Sequence, residues 1–303
     1  MTTHPQTAPS IDASDPAPRA PSSAELSRAS RIAEQAAYAA GTHLQASRSR
    51  LTAAAVMQKE PADVARAICD ESLALIRDVV QRRFPEHAFD AAEATDFTAG
   101  ADGVWSNTSG EPSDREVAEP DQPRWVVDPL DGRANYLRGY PQYAVSIALQ
   151  LGGEPVLGVV YDPSRNEFFG AIRGRGAVLN GTAIRCALPR ATLAAFAATV
   201  FPKPADGVMA PYIAELGRVL RGFGGVRRSG SLALELAYLA AGRIDAFWAH
   251  GITERRTSAG IVLLRECGVQ VETRQELPMP ASHTLVASTP GMREPLLRML
   301  AGP

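Results

Sequence analysis

The segment Trp125-Val126-Val127-Asp128-Pro129-Leu130-Asp131-Gly132 carries the densest chemistry in the chain. Two carboxylates three residues apart follow an apolar run that reads as a buried strand. Proline fixes the turn, and glycine lets the backbone approach a ligand closely. Such a pair can share one or two hard cations, which take oxygen ligands. By itself D-x-x-D-G is common, and a turn bearing solvated aspartates is spelled the same way. Other ligand types are dispersed. The five histidines show no zinc-like spacing, and Cys69, Cys186 and Cys267 form no CxxC pair. Three cysteines cannot all pair within one chain, so reduced, buried thiols in a cytosolic setting are expected.

The surroundings of the aspartate pair narrow the reading. The chain continues Arg133-Ala134-Asn135-Tyr136, then Tyr140-Pro141, Ala144-Val145-Ser146-Ile147 and Gly158-Val159-Val160-Tyr161-Asp162-Pro163. Gly174-Arg175-Gly176-Ala177 and Asn180-Gly181 follow. Upstream stand Lys59, Pro61-Ala62-Asp63, Asp70 and Phe84-Pro85-Glu86-His87. Downstream stand Gly230-Ser231-Leu232-Ala233-Leu234 and Ala240-Ala241-Gly242-Arg243-Ile244-Asp245. In these segments the chain resembles the inositol monophosphatase family, whose signature is W-[IV]-[IV]-D-P-[IL]-D-G-T-x-N-[FY]. The resemblance runs from about residue 26 to residue 301.

The resemblance implies magnesium-assisted hydrolysis of a phosphate monoester, in which metals polarise the phosphate, generate the attacking hydroxide and stabilise the leaving oxygen. It implies as metal ligands the first glutamate of a G-E-E motif, both aspartates of D-P-x-D-G, the carbonyl between them, and an aspartate from W-D-x-A-x-G. A threonine after D-G, assisted by an upstream aspartate, would orient the water. Carried onto this chain, Asp128, Asp131, the Leu130 carbonyl and the upstream Asp70 are present. The rest departs. The G-E-E segment reads Ala91-Ala92-Glu93, which puts Ala92 at the ligand position and Glu93 beside it. The threonine is Arg133, the W-D pair is Arg255-Arg256, and the acidic substrate-contacting position is Ala249.

Charge counting gives these departures weight. Two aspartates facing two guanidiniums sum to about zero, and a guanidinium stays charged at any working pH. Magnesium binding is therefore expected to be weak. Arg256 is expected against Asp128 or Asp131, since a lone buried charge is costly. Arg133 is expected at the pocket mouth, as a donor fork for an anion. The site residues follow: Asp70, Asp128, Asp131 and Arg133 for any catalysis; Gly132, Arg133, Ser231 and Arg256 for substrate; Glu93, Asp128, Leu130 and Asp131 for a retained metal.

Elements able to position these residues are legible on both sides of the pair. Ser22-Ser23-Ala24-Glu25 fits a capping box ahead of an Ala-rich helix reaching about Leu44. Val64, Ile68, Leu75, Ile76, Val79 and Val80 recur at helical spacing. Residues 94–123 read as a long polar loop. From Arg124 an antiparallel meander is expected, with strands 124–127, 144–151, 156–161 and 167–172 and a hairpin at Asn180-Gly181. After Leu188 the expected order is strand 193–200, helix 211–221, strand 226–229, helix 231–241, strand 244–249, helix 257–267, strands 269–273 and 284–288, and helix 294–301. The fold class is α/β, a layered α/β/α/β/α sandwich of two lobes. Residues 1–22 form a disordered tail rich in Pro, Ala, Ser and Thr, residues 23–187 an N-terminal lobe with the antiparallel sheet, and residues 188–303 a C-terminal α/β lobe.

Composition excludes some partners. Of 303 residues 45 % are apolar and 21 % charged, and the net charge is -2, so bulk charge offers nothing to nucleic acid. No run approaches the roughly 18 apolar residues of a membrane span, and a cytoplasmic location is expected. Three readings stand at this point. The first is an impaired or repurposed phosphatase-like protein binding a small anionic metabolite, such as a sugar phosphate or a carboxylated compound. The second is an active magnesium phosphatase with ligands shifted to Glu93 and Glu254. The third is a non-enzymatic scaffold. A homodimer is implied by the resemblance in all three.

Overall fold

The computed structural model describes residues 22–56, 61–91, 97–99, 105–107, 122–188, 190–202, 208–275 and 283–302. The expectations for Lys59, Ala92, Glu93, the tail before Ser22 and most of the 94–123 loop fall outside them. The elements in order are α1 (Ser23–Val56), α2 (Pro61–Gln81), β1 (Ala88–Ala91), β2 (Phe97–Ala99), β3 (Trp105–Asn107), β4 (Arg124–Asp131), α3 (Arg133–Leu137), β5 (Ala144–Leu151), β6 (Glu154–Asp162), β7 (Glu167–Ile172), β8 (Ala177–Leu179), β9 (Thr182–Ile184), β10 (Phe196–Thr199), α4 (Met209–Gly222), β11 (Gly225–Arg227), α5 (Leu232–Ala240), β12 (Ala246–Ile252), α6 (Glu254–Glu266), β13 (Gln270–Gln275), β14 (His283–Ser288) and α7 (Arg293–Ala301).

A seven-stranded sheet runs β1-β4-β5-β6-β7-β8-β9, and a five-stranded sheet runs β11-β10-β12-β14-β13. The first is the expected meander with one addition. Strand β1 joins its edge in parallel with β4, Phe89 opposite Trp125 and Asp90 opposite Val126. Four residues are too few for a period-2 pattern to declare itself, so this strand was not legible as one.

Three apolar clusters show why the sheets stack in layers. Helices α1 and α2 cover one face of the larger sheet, through Ala33, Ala36, Ala37, Ile68 and Ile76 against Val127, Val145, Ile147 and Val159. Alanines along α1 bring its backbone close to the strands. The opposite face, with Val126, Ala148 and Val160, shares a core with α5, α6 and one face of the smaller sheet. Helices α4 and α7 cover that sheet's outer face, around Tyr212, Trp248 and Leu296. The result is the five-layer α/β/α/β/α sandwich. Ser22 and Glu25 close the capping box at the start of α1: the Ser22 N–H donates to Glu25 Oε2 at 2.5 Å, and the Glu25 N–H donates to Ser22 Oγ at 3.2 Å.

The middle layer is set by glycine. At Gly158 in β6 a Cβ would collide with the Ala259 carbonyl of α6, so only a bare backbone admits the helix at this depth. Replacing Gly158 with Ala must push α6 off the sheet. We expect a loss of about 1–3 kcal/mol and a lowered thermal midpoint, readable by circular dichroism. A variant melting with wild type would show that the layers separate without penalty.

Candidate functional site

Strand β4 lies between β1 and β5, and its ladder breaks at the aspartates. The pairing of Asp128 with Ser146 resumes at Asp131 with Ala144 after a register shift. The cause is local. Pro129 has no N–H, and the Leu130 N–H is spent on Asp128 Oδ1 at 3.2 Å. The Pro129 carbonyl accepts the hydroxyl of buried Ser72 from α2 at 3.2 Å. Gly132 then turns the chain at φ 81°. A Cβ there would stand 2.6 Å from the Gln142 carbonyl oxygen, so glycine is required twice over. Asn135 clamps the turn from beyond, its amide donating to the carbonyls of Gln142 at 2.7 Å and Ser229 at 2.8 Å.

Both carboxylates are buried, Asp128 at 7 % and Asp131 at 5 % exposure. Asp131 Oδ2 accepts the Ser231 hydroxyl at 2.6 Å and the Ala233 N–H at 2.9 Å. Ser231 is itself the N-cap of α5, accepting the Leu234 N–H at 3.3 Å. The carboxylate thus sits at the positive end of that helix. Arg256, in the first turn of α6, brings Nη2 to 3.8 Å from Asp131 Oδ1. Burial holds the Asp131 carboxyl above the usual carboxylate range, and the nearby Asp128 adds to this. Arg256, Ser231 and the Ala233 N–H pull it back down.

Arg133 is not at the mouth, where the sequence placed it. It is 9 % exposed and turned inward. Its Nε donates to the Leu130 carbonyl at 3.2 Å, and its Nη2 is 3.7 Å from Asp128 Oδ1. The reason is helical geometry. Arg133 opens α3, and side chains at a helix start lean back toward the N-terminus, here onto the Leu130 carbonyl three residues earlier. The guanidinium therefore lies against two of the oxygens that the family resemblance assigned to a metal, the Leu130 carbonyl and Asp128 Oδ1.

Among the described residues, Asp128, Leu130, Asp131, Gly132, Arg133, Ser231 and Arg256 are brought together. Asp70 is exposed on α2. Arg255 turns aside to Asp90 of β1, Nε to Oδ1 3.1 Å. Glu254 accepts from Gln150 at 2.7 Å instead of facing the aspartates. Among the described residues no group of three or more His, Cys, Asp or Glu is gathered as a metal site. Both Asp131 oxygens and Asp128 Oδ1 are engaged by guanidinium, hydroxyl or N–H groups.

Sequence reasoning missed Ser72, Asp90 and Glu235. Glu235 is 1 % exposed in α5 and accepts the Ser229 N–H at 2.6 Å. Its signal was present, as a lone acid inside the apolar run Leu232-Ala233-Leu234-Glu235-Leu236. Burial raises its carboxyl above the usual range, hydrogen bonds from Ser229 lower it, and Asp131 raises it further. A carboxyl raised on folding stabilises fully only below its unfolded pKa, and that contribution is lost as pH rises through the folded value. Glu235→Gln keeps the acceptor and removes the titration. We expect its melting temperature to gain on wild type from about pH 4.5 upward and to level off once the folded carboxyl is ionised. Parallel curves across pH would show that Glu235 does not titrate on unfolding.

The chain matches the model of the inositol monophosphatase family over residues 25–300. It is 35 % identical over 237 residues to the Nus factor SuhB of Escherichia coli K12, covering 78 % of this chain and 82 % of that one. It is 34 % identical over 234 residues to an inositol-1-monophosphatase of Rhizobium meliloti, covering 77 % and 81 %. Its structure superposes on the extragenic suppressor protein suhB of Bartonella henselae with a TM-score of 0.73 at 30 % identity, covering 91 % of this chain and 100 % of the other. The inositol monophosphatase of Anabaena gives 0.71 at 30 % identity, covering 91 % and 96 %. With the aspartate turn, the five layers and a match running almost from end to end, the chain belongs to the inositol monophosphatase family.

Proposed function

We propose that this chain is a repurposed member of its family, one that binds a small anionic metabolite without magnesium and hydrolyses phosphate monoesters poorly. The observation that carries this reading is the Arg133 guanidinium seated on the Leu130 carbonyl beside Asp128. A divalent ion would have to displace that fixed charge before meeting half its ligands. The anion-facing group is then Arg256. Its side chain is 28 % exposed, and its Nε is buried with no hydrogen-bond partner among the described residues. A phosphate or carboxylate suits such a donor. Arg133 contributes to this pocket from within, as the counter-charge that keeps Asp128 from repelling the ligand. Gly132 and Ser231 shape the wall, since both are committed to the turn and to the α5 cap.

Hydrolysis needs a metal-activated water, and the hydroxyl expected to orient it has been replaced by Arg133. Asp70, exposed on α2, has no such water to assist in this reading. A cytoplasmic homodimer completes the proposal, resting on likeness to the family; the described helices are not long and apolar enough to cross a membrane. A second reading, a non-enzymatic scaffold, draws support from likeness to proteins named Nus factor, because fold does not fix function. For the shifted-ligand phosphatase, Glu254 is turned to Gln150, while its other shifted ligand, Glu93, lies outside the described residues.

Thermal melting with and without magnesium, alongside hydrolysis of inositol 1-phosphate, tests the proposal. Wild type should show no magnesium-dependent shift and turnover orders of magnitude below a family phosphatase. Arg256→Asp alone should melt lower without magnesium, since a third carboxylate then crowds the pair. The triple variant Ala92→Glu, Arg133→Thr, Arg256→Asp should gain a magnesium-dependent shift. A large shift in wild type that the triple variant does not exceed would overturn the reading. Melting shifts with small sugar phosphates separate the anion pocket from the scaffold: a shift that Arg256→Ser abolishes supports the former, and none at all supports the latter.

A further inference from the structure

A basic cavity lies on the outer side of the smaller sheet, where α4 and α7 end. It has a volume of about 420 Å³ and is lined by Thr192, Arg218, Arg221, Pro295, Arg298, Met299 and Gly302. Three of these residues are arginines and none is acidic. We propose that this cavity binds a small phosphate-bearing anion with two or more negative oxygens to share, such as a diphosphate or a bisphosphorylated metabolite. This inference is independent of the reading of the aspartate site.

The three arginines are not equivalent. Arg218 is structural: its Nη2 donates to the Leu300 carbonyl at 2.9 Å, and its Nε donates to that of Met299. It ties the last turn of α7 to α4 and satisfies carbonyls that the helix end leaves over. Arg221 and Arg298 stand in the last turns of α4 and α7 and are exposed. Elsewhere on the surface exposed arginines are commonly matched to acids, as Arg243 is to Glu167 at 2.5 Å and Arg50 to Glu71 at 2.5 Å. Arg221 and Arg298 have no carboxylate or carbonyl partner among the described residues.

A helix C-terminus offers an arginine roughly half a negative charge. Two such termini leave a three-guanidinium cavity with a net positive charge of about two. Each free guanidinium presents a planar fork of donors, which matches phosphate oxygens bidentately. Arg218 is anchored by the α7 carbonyls, and Thr192 also lines the cavity. A small polyanion suits the site, since Arg221 and Arg298 line the same cavity from two helix ends.

The test is calorimetric titration of pyrophosphate into the full chain. Arg218 is left alone, because its loss would loosen α7. Wild type should show a binding component that Arg221→Ser/Arg298→Ser weakens tenfold or more, while its melting temperature stays with wild type. The same component should survive Arg256→Ser, which places it away from the aspartate site. A control pair of exposed arginines, Arg173→Ser/Arg185→Ser, removes equal charge elsewhere and should leave it intact. The inference fails if wild type binds no pyrophosphate, if Arg221→Ser/Arg298→Ser binds as tightly as wild type, or if the control pair weakens binding as much.

Discussion

Two carboxylates buried in the middle of a five-layer sandwich must be neutralised, and the site is built around that requirement. Asp128 and Asp131 come within one turn because Pro129 breaks the ladder and Gly132 reverses the chain. An ionised carboxylate at this depth is tolerated only when paired and hydrogen-bonded. Asp131 draws on the N-terminus of α5 and on Arg256, while Asp128 draws on Arg133 and the Leu130 N–H. The helices of the middle layer therefore do more than fill space. Their first turns are where the compensating charge and N–H groups enter.

Much of this was legible in the residues. The meander, the alternating elements that follow it and the capping box at Ser22 each rest on short-range patterning, and each appears within a few residues of its expected bounds. Arg256 and Ser231 could be singled out because sequence similarity fixes their approximate depth. What remained hidden depends on direction or on long-range pairing. Arg133 was placed at the mouth because sequence spacing does not reveal that residue 133 opens a helix, and helix α3 is only five residues long. Strand β1 became visible only through its pairing with β4, and Asp90 with it. The catalytic assignment of Asp70 rested on resemblance, and its exposed position on α2 follows from which face of that helix meets the sheet.

Fold and chemistry are encoded in separable parts of this chain. The layers are held by apolar side chains and by glycines such as Gly158, and where core residues such as Leu130 and Ala233 meet the aspartates they do so through backbone N–H groups. The family's architecture can persist while the polar residues at its centre change. Such an exchange has its own constraint. Replacing a metal ligand by arginine is tolerable where the neighbouring carboxylates remain, because each then supplies what the other lost.

The inward turn of Arg133 has a consequence for time as well as charge. A bound ion exchanges with solution, and its residence depends on supply. A guanidinium linked through its own backbone cannot leave, and it meets Asp128 at a very high effective concentration set by one turn of chain. The neutralisation is therefore inherited with the polypeptide and is complete as soon as α3 forms. It persists until that turn unfolds, so assembly of the site and folding of the chain become a single event.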